Sequence, residues 1–206
     1  MLVAFIIIPN RYYTPLLWAT KEINILNSQG IESGLIVPKH YGVDVAREIG
    51  VEAALKGGYT HIFFLDDDVL PERHGVVVEM LSLDYPVICG VYYQKNLKGL
   101  AVLRRAEHDY ISLALDDVED KLAPADACGL GFVLIDAEVF RRLSKPWFSL
   151  RPRGEDVYFF EKMKSEIGHR PVVYGRAKAY HLLTETLGLD WRKNVVVLLD
   201  SSTTAT

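Results

Sequence analysis

Strand and helix signals alternate through the first half of the chain, and this alternation constrains the fold more than any other feature. Apolar runs typical of strands cover residues 2–8, 35–37, 60–65 and 87–92. Helix-start signals stand between these runs, at Thr14, Asp44 and Pro71. Strands that alternate with helices are joined by right-handed crossovers and run parallel. We therefore expect an α/β fold with a mixed, mainly parallel sheet flanked by helices.

Shorter elements follow after residue 93. Residues 100–105 and 110–115 predict an antiparallel hairpin, and residues 132–135 predict another buried strand. The remaining signals predict helices over 137–143 and after Gly154, and a strand over 172–174. We expect one domain over residues 1–200, divided near residue 93, and a disordered tail at 201–206.

Composition and the N-terminal segment exclude several classes of protein. The formal net charge is −4, which argues against a nucleic-acid partner bound through phosphate neutralisation. Residues 1–8 are apolar but lack a positively charged start, and Pro9 ends them far short of a membrane span. These features predict a cytoplasmic protein without an integral membrane segment.

The two cysteines, Cys89 and Cys128, do not make a disulfide framework or a metal-ligand spacing. Each precedes a glycine inside an apolar stretch. The sequence therefore predicts two buried thiols.

Three adjacent carboxylates, Asp66, Asp67 and Asp68, end the strand in "FFLDDDVLPE". Ligands of open α/β sheets bind beyond such strand ends. A helix cap and an Asx-turn would account for one or two of the aspartates. Like charges packed at ~4–6 Å would still raise at least one pKa unless a cation offsets them. We therefore expect Mn²⁺ or Mg²⁺, which prefer oxygen ligands, as the cofactor.

A second acidic pair, Glu155 and Asp156, opens the helix after "RPRG". The helix dipole alone favours carboxylates at this position. Together with the first cluster, the pair completes an arrangement with a metal and leaving group on one side and a general base on the other. His181 is a candidate third metal ligand, although a lone histidine is more often structural.

Two further features leave alternatives open. Gly129 and Gly131 precede a strand, so they fail the dinucleotide-binding fingerprint, and we expect them to allow close backbone approach beneath a ligand. Trp147 and Phe148 are either core residues or a surface that stacks on a sugar or acceptor.

The chain resembles GT-A fold glycosyltransferases, which have a Rossmann-like fold and use nucleotide-diphospho-sugars, and within them the family-2 type. The stretches that carry this resemblance occur in the family's order: IIIPNRYY, AREIGVEAAL, HIFFLDDDVLPE, ACGLGFVLIDAEVFRRL and PWFSLRPRGEDVYFFEKMKSEIG. They extend from residue 1 to about residue 181. A DxD motif alone is unspecific, but the ordered set is far more specific. The small size is also similar to that of compact glycosyltransferases from archaeal viruses, which implies the host cytoplasm.

The resemblance implies a role for each residue of the DxD motif. Asp66 would approach the ribose or the metal, with Asp67 beside it at the nucleotide. Asp68 would bind the metal that bridges the donor diphosphate, and His181 would complete the metal shell.

The resemblance also implies the base and the nucleotide contacts. Asp156 would be the catalytic base of an inverting enzyme, with Glu155 beside it. The residues implied in nucleotide binding are Pro9, Asn10, Arg11 and Arg47.

The implied activity is a metal-dependent, hexosyltransferase-type transfer of one sugar. The donor would be a nucleoside-diphosphate sugar, bound by residues 1–93. The acceptor would be a hydroxyl of a glycan or protein, bound by residues 94–200. The chain lacks the QxxRW motif of processive synthases, which favours transfer of a single sugar.

Three other functions compete with this one. A haloacid-dehalogenase-like phosphatase also places a DxD motif at a strand end, but here Leu70 stands where Thr or Val is usual, and the motif lies late in the chain. A sugar-1-phosphate nucleotidyltransferase needs a glycine-rich basic loop that "PNRYYTP" does not provide. A non-catalytic sugar-nucleotide-binding module stays open, as does retention instead of inversion.

Overall fold

The computed structural model describes residues 1–8, 14–38, 42–96, 98–107 and 109–182, and the backbone of residues 187–190 and 195–198. The helices in this part of the chain are α1 (Thr14–Ser28), α2 (Val43–Lys56), α3 (Val76–Ser82), α4 (Leu115–Val118), α5 (Ala137–Arg142) and α6 (Glu155–Ile167). The strands are β1 (Leu2–Ile8), β2 (Glu32–Ile36), β3 (His61–Asp66), β4 (Val69–Pro71), β5 (Val87–Val91), β6 (Val102–Ala106), β7 (Asp109–Ser112), β8 (Leu122–Pro124), β9 (Ala127–Cys128), β10 (Phe132–Asp136), β11 (Val172–His181), β12 (Leu187–Asp190) and β13 (Val195–Leu198).

An eight-stranded sheet forms the centre of the molecule, with the order β2-β1-β3-β10-β5-β11-β4 and with β8 paired to β11. Strands β2, β1 and β3 are parallel, and β5 and β11 run in the same direction. Strand β10 lies antiparallel between β3 and β5. The predicted α/β fold with a mixed, mainly parallel sheet flanked by helices is confirmed. Because β10 and β11 come from the second half of the sequence, both halves share one sheet.

Apolar side chains cover both faces of this sheet. Successive residues of a strand point to opposite faces, so Phe63 packs with α1 and α3 while Phe64 packs with α2, α5 and α6. Burial on both faces explains why the central strands are continuous apolar runs. Trp147 and Phe148 belong to the second face, and the Trp147 indole N–H donates to the Phe140 carbonyl at 3.1 Å. The core alternative for these two aromatics is therefore correct.

Helix α3 begins at Val76, so the helix start predicted at Pro71 is wrong. Pro71 ends strand β4, which pairs antiparallel with the end of β11. The first turn of α3 is capped by Glu22 of α1, whose fully buried carboxylate accepts hydrogen bonds from the Gly75 and Val77 N–H groups at 2.8 and 3.0 Å. This cap lies far away in sequence, which is why local helix signals misplaced the start.

Cys89 of β5 and Cys128 of β9 form a disulfide, so the prediction of two free thiols is wrong. The predicted burial of both residues is confirmed. The two cysteines lie 39 residues apart in sequence, and the sheet brings them together. Their spacing therefore carried no local signal.

The second half of the chain contains the predicted hairpin and a longer last strand than expected. Strands β6 and β7 pair antiparallel, with Leu103 opposite Ser112, and this confirms the hairpin. Strand β11 continues beyond the predicted residues 172–174 to His181. None of the helices within the described residues combines the length and the apolar character that crossing a bilayer requires.

Candidate active site

One cavity of about 540 Å³ lies at the edge of the sheet where β3, β5 and β11 end. These strands run in the same direction, so their carboxyl ends meet at one edge, as in other ligand-binding α/β sheets. Residues with polar side chains that line the cavity include Asp66, Asp67, Asp68, Tyr92, Gln94, Lys95, Glu155, Asp156 and His181. The structure thus brings together the two acidic clusters and the histidine that the sequence singled out.

Helix capping does not explain the three aspartates. The next helix, α3, begins at Val76 and takes its cap from Glu22. The side chain of Asp66 instead faces Arg47, and that of Asp68 faces Lys95 and His181. The aspartates therefore line a cavity rather than close a helix end.

Arg47 lies beneath the cavity, where it holds Asp66 in place. Its Nη2 donates to both carboxylate oxygens of Asp66, at 2.9 and 3.1 Å, and its Nε lies 3.6 Å from Glu155 Oε1. Arg47 is 1% exposed. Burial lowers the pKa of Arg47, but the charges of Asp66 and Glu155 outweigh this effect and the net shift is upward. Arg47 was predicted to contact the nucleotide, and this stays a prediction; in the structure its guanidinium lies against Asp66 and Glu155.

Asp68 and His181 face each other across the cavity wall. His181 Nε2 lies 3.5 Å from Asp68 Oδ1, and His181 Nδ1 lies 2.8 Å from the Tyr93 carbonyl oxygen. A carbonyl only accepts, so Nδ1 carries the proton, and Nε2 is the ring nitrogen directed towards Asp68. An imidazole nitrogen and a carboxylate oxygen directed at each other are two groups that a cation between them can bind. The donor set at Asp68 and His181 therefore fits a divalent cation with mixed oxygen and nitrogen ligands.

These two residues do not make a complete metal shell. Within the part of the chain that the structure describes, no group of three or more histidine, cysteine, aspartate or glutamate side chains is arranged to hold a metal ion. Asp66, predicted as a further ligand, has both oxygens engaged by Arg47. Mg²⁺ commonly binds through one or two carboxylates and completes its shell with water and substrate phosphates.

Asp68 is also paired with Lys95, a residue that the sequence did not single out. Lys95 Nζ lies 2.6 Å from Asp68 Oδ2. Burial raises the pKa of Asp68, but hydrogen bonds from His181 and Lys95 more than offset this, and the net shift is downward. Asp68 is therefore ionised at neutral pH.

Asp156 stands in the first turn of α6, next to Glu155. The preceding Gly154 has φ +94°, a conformation that glycine adopts without strain, and it aims the helix start at the cavity. Burial, followed by the charge of Glu155, raises the pKa of Asp156 to about 6, although Arg47 acts in the opposite direction. The helix dipole would lower the pKa of Asp156, whereas the net shift is upward. The dipole alone therefore does not explain why Glu155 and Asp156 stand together at this helix start. A carboxyl group with a pKa of about 6 is ionised at neutral pH and is chemically suited to accept a proton there.

Tyr92 is a second cavity residue that sequence reasoning missed. Its hydroxyl oxygen accepts a hydrogen bond from the Gly131 N–H at 3.2 Å, and burial raises its pKa. A Cβ at Gly131 would lie 2.8 Å from Asp66 Oδ2 and 2.9 Å from the Tyr92 hydroxyl. A Cβ at Gly129 would also collide with that hydroxyl. The glycines thus allow close approach of Tyr92 and Asp66 to the backbone, in addition to any role beneath a ligand.

Pro9, Asn10 and Arg11, predicted to bind the nucleotide, lie outside the described residues. Ile8, the last residue of β1, lines the cavity. The structure therefore describes the strand that leads to these three residues but not the residues themselves.

No family model and no curated protein matches the chain. Among solved structures, the crystal structure of the viral protein A197 from STIV shares 30% sequence identity, with a TM-score of 0.69. The match covers 96% of this chain and 94% of that chain. The class defined by fold and cavity is an α/β protein with a cavity at the carboxyl edge of its sheet. Within that class, the chain belongs to the family of A197 from STIV.

Two more distant matches are sugar-nucleotide enzymes. UDP-glucose pyrophosphorylase complexed with UDP-glucose is 11% identical, with 88% of this chain and 93% of that chain covered and a TM-score of 0.49. A putative glucose-1-phosphate thymidylyltransferase from Bacillus anthracis is 10% identical, with 87% and 89% covered and a TM-score of 0.48. Matches at this level say nothing about the activity of the present chain.

Proposed function

We propose that the protein is a metal-dependent glycosyltransferase that moves one sugar from a nucleoside-diphosphate sugar to an acceptor hydroxyl. One observation carries this proposal: the Asp68–His181 pair and the half-buried carboxylate of Asp156 line the same cavity. The cavity volume of about 540 Å³ suits a small-molecule ligand. A cation-binding pair and a base beside one ligand are the groups that this reaction needs.

Asp68 and His181 would hold Mn²⁺ or Mg²⁺ by a carboxylate oxygen and an imidazole nitrogen. When bound, the cation would neutralise the negative charge that develops on the departing diphosphate. Asp66 would accept hydrogen bonds from the ribose, because a carboxylate has about four lone-pair sites and Arg47 occupies only some of them. Asp67 lines the same cavity and would lie beside the nucleotide.

Asp156 would take the proton from the acceptor hydroxyl as the hydroxyl oxygen attacks the anomeric carbon. The bond from that carbon to the diphosphate oxygen breaks, and its electron pair leaves with the diphosphate. The sugar passes through an oxocarbenium-like state, and attack opposite the leaving group inverts the anomeric centre. Glu155 contributes by raising the pKa of Asp156, which makes Asp156 a stronger base.

The competing functions suit the site less well. A haloacid-dehalogenase-like phosphatase would use Asp66 as a nucleophile, but the hydrogen bonds from the Arg47 guanidinium stabilise the carboxylate charge and make it a weaker nucleophile. A non-catalytic binding module would gain nothing from Asp156, since a carboxylate whose pKa is raised on folding reduces stability at neutral pH. The arrangement therefore favours an enzyme over a binding module.

The first test is a calorimetric binding screen of UDP, GDP, CDP and ADP, with Mn²⁺ and with a chelator. We expect one nucleoside diphosphate to bind roughly tenfold or more tightly with Mn²⁺, because the cation links its phosphates to Asp68. The variant Asp68→Asn should lose this dependence on Mn²⁺. The control Asp117→Asn makes the same substitution at an exposed carboxylate outside the cavity lining and should behave like the wild type. Failure of all four nucleotides to bind would refute the proposal.

A further inference from the structure

We infer that Lys95 competes with the divalent cation for Asp68 and, once displaced, binds the diphosphate of the donor. Lys95 would thereby couple the binding of metal and nucleotide. The inference rests on the proposed function and assigns a specific role within it to a lysine that no sequence motif marks.

The Asp68 carboxylate contacts both Lys95 and His181. One carboxylate oxygen, Oδ2, lies 2.6 Å from Lys95 Nζ, and the other, Oδ1, lies 3.5 Å from His181 Nε2. The Asp68 side chain is 9% exposed, whereas that of Lys95 is 60% exposed. The ammonium thus reaches the wall of the cavity from the solvent side on a flexible stem. Lys95 can leave Asp68 without disturbing the core.

Hydrogen bonds anchor the start of the loop that carries Lys95, which connects β5 to β6. Gln94, the residue before Lys95, donates hydrogen bonds from Nε2 to the Leu100 carbonyl and the Ser112 hydroxyl, both at 3.2 Å. The backbone N–H of Gln94 also donates to the Gly99 carbonyl at 2.9 Å. Gln94 is therefore fixed to Gly99 and Leu100, which precede β6, and to Ser112 of β7. Movement of Lys95 needs rotation of its side chain only.

The charged side chains that line the cavity are mostly acidic. Five carboxylates line it, from Asp66, Asp67, Asp68, Glu155 and Asp156. Among the described lining residues, Lys95 is the only lysine or arginine. A diphosphate that enters this acidic cavity needs positive charge beside it, and among the described lining residues Lys95 can supply that charge together with the divalent cation.

Competition between Lys95 and the metal for Asp68, together with the acidic charge of the cavity, predicts that binding of the metal and binding of the nucleotide are coupled. A divalent cation at Asp68 repels an ammonium held by the same carboxylate, so the metal must displace Lys95. The diphosphate then offers the displaced ammonium an anionic partner, which makes displacement more favourable. The nucleotide should therefore raise the affinity for the metal, and by linkage the metal should raise the affinity for the nucleotide by the same factor.

The test is a Mn²⁺ titration followed by the EPR signal of the free ion. It compares the wild type, Lys95→Met and Lys98→Met, with and without the best-binding nucleoside diphosphate of the four screened. Without nucleotide, Lys95→Met should bind Mn²⁺ about three- to fivefold more tightly, because the Lys95–Asp68 ion pair no longer has to be broken. Adding the nucleotide should raise the Mn²⁺ affinity of Lys95→Met by a smaller factor than it raises the Mn²⁺ affinity of the wild type. Lys98 is an exposed residue of the same loop outside the cavity lining, so Lys98→Met should match the wild type.

The outcomes separate the inference from the proposed function. Equal Mn²⁺ affinity and equal coupling in the wild type and Lys95→Met would overturn the inference and leave the proposed function standing. A wild-type protein that binds no Mn²⁺ under either condition would overturn both. Tighter Mn²⁺ binding by Lys95→Met together with reduced coupling is the result that we expect.

Discussion

Replacing Asp156 by asparagine is expected to lower the turnover of a nucleoside-diphosphate sugar by about 10²–10⁴-fold, the usual contribution of a general base. Binding of the nucleotide should stay near the wild-type affinity, because Asp156 is assigned to the acceptor proton and not to the donor. Turnover can be measured without the acceptor as slow hydrolysis of the donor, with water in place of the acceptor hydroxyl. Asp117→Asn is again the matched control. Wild-type turnover by Asp156→Asn would show that Asp156 is not the base.

The same substitution is expected to stabilise the protein at neutral pH. The pKa of Asp156 is raised from 3.8 to about 6 on folding, so its charged form is disfavoured in the folded state. This cost is absent below about pH 4 and grows to its full size above about pH 6. At about 1.36 kcal/mol per pKa unit, removal of the charge should raise the free energy of unfolding by up to about 3 kcal/mol at pH 7. Urea unfolding of both proteins at pH 7 and pH 4 should show a difference that shrinks at the lower pH.

The pH dependence of turnover should report the same group. Asp156 acts as a base only when ionised, so turnover in the wild type should fall as the pH drops below about 6. The residual activity of Asp156→Asn should lack this acidic limb. If the turnover of Asp156→Asn fell below about pH 6 in the same way as that of the wild type, the group that titrates would be another residue.

Replacing Arg47 by methionine is expected to lower the free energy of unfolding by about 3–5 kcal/mol, the usual cost of removing one partner of a buried ion pair. The buried guanidinium contacts Asp66 and Glu155, and its loss leaves these carboxylates close together without a cation. It also lies 5.3 Å from the Phe64 ring centroid, so methionine retains part of its apolar packing. The loss should therefore come mainly from the carboxylates. Chemical unfolding at pH 7 measures it.

A matched pair on the surface provides the control for Arg47. Arg73 makes two 2.6 Å hydrogen bonds to Glu79, but both side chains are about two-fifths exposed. Arg73→Met should therefore cost about 1 kcal/mol or less. Combining Arg47→Met with Asp66→Asn and Glu155→Gln should recover part of the lost stability, because the repelling charges are removed. A loss below about 1 kcal/mol for Arg47→Met would contradict the role assigned to Arg47.

Periodic patterns predicted the central sheet well because its strands are covered on both faces. Runs such as residues 62–65 are apolar throughout, and their order specifies parallel strands whose carboxyl ends meet at one edge. The same rule brought Asp66, Asp68 and His181 to one cavity, since each lies within two residues of the end of a strand. Long-range topology was predictable wherever it followed from the direction of strands.

Features that depend on distant partners could not be predicted in this way. The cap of α3 comes from Glu22, 53 residues before Gly75, and the disulfide joins cysteines 39 residues apart. Arg47 resembles an exposed helical arginine in sequence, and only the fold places carboxylates around it. Lys95 lies in a loop without periodicity, so its contact with Asp68 had no local signal.

The most direct measurement of the central claim is anomalous diffraction from crystals that contain Mn²⁺ and the nucleoside diphosphate selected by the screen. The account predicts a manganese peak about 2 Å from an Asp68 carboxylate oxygen and from His181 Nε2, with the diphosphate bound to the same ion. A nucleotide bound in the cavity with no manganese at Asp68, or manganese bound only elsewhere on the protein, would contradict it.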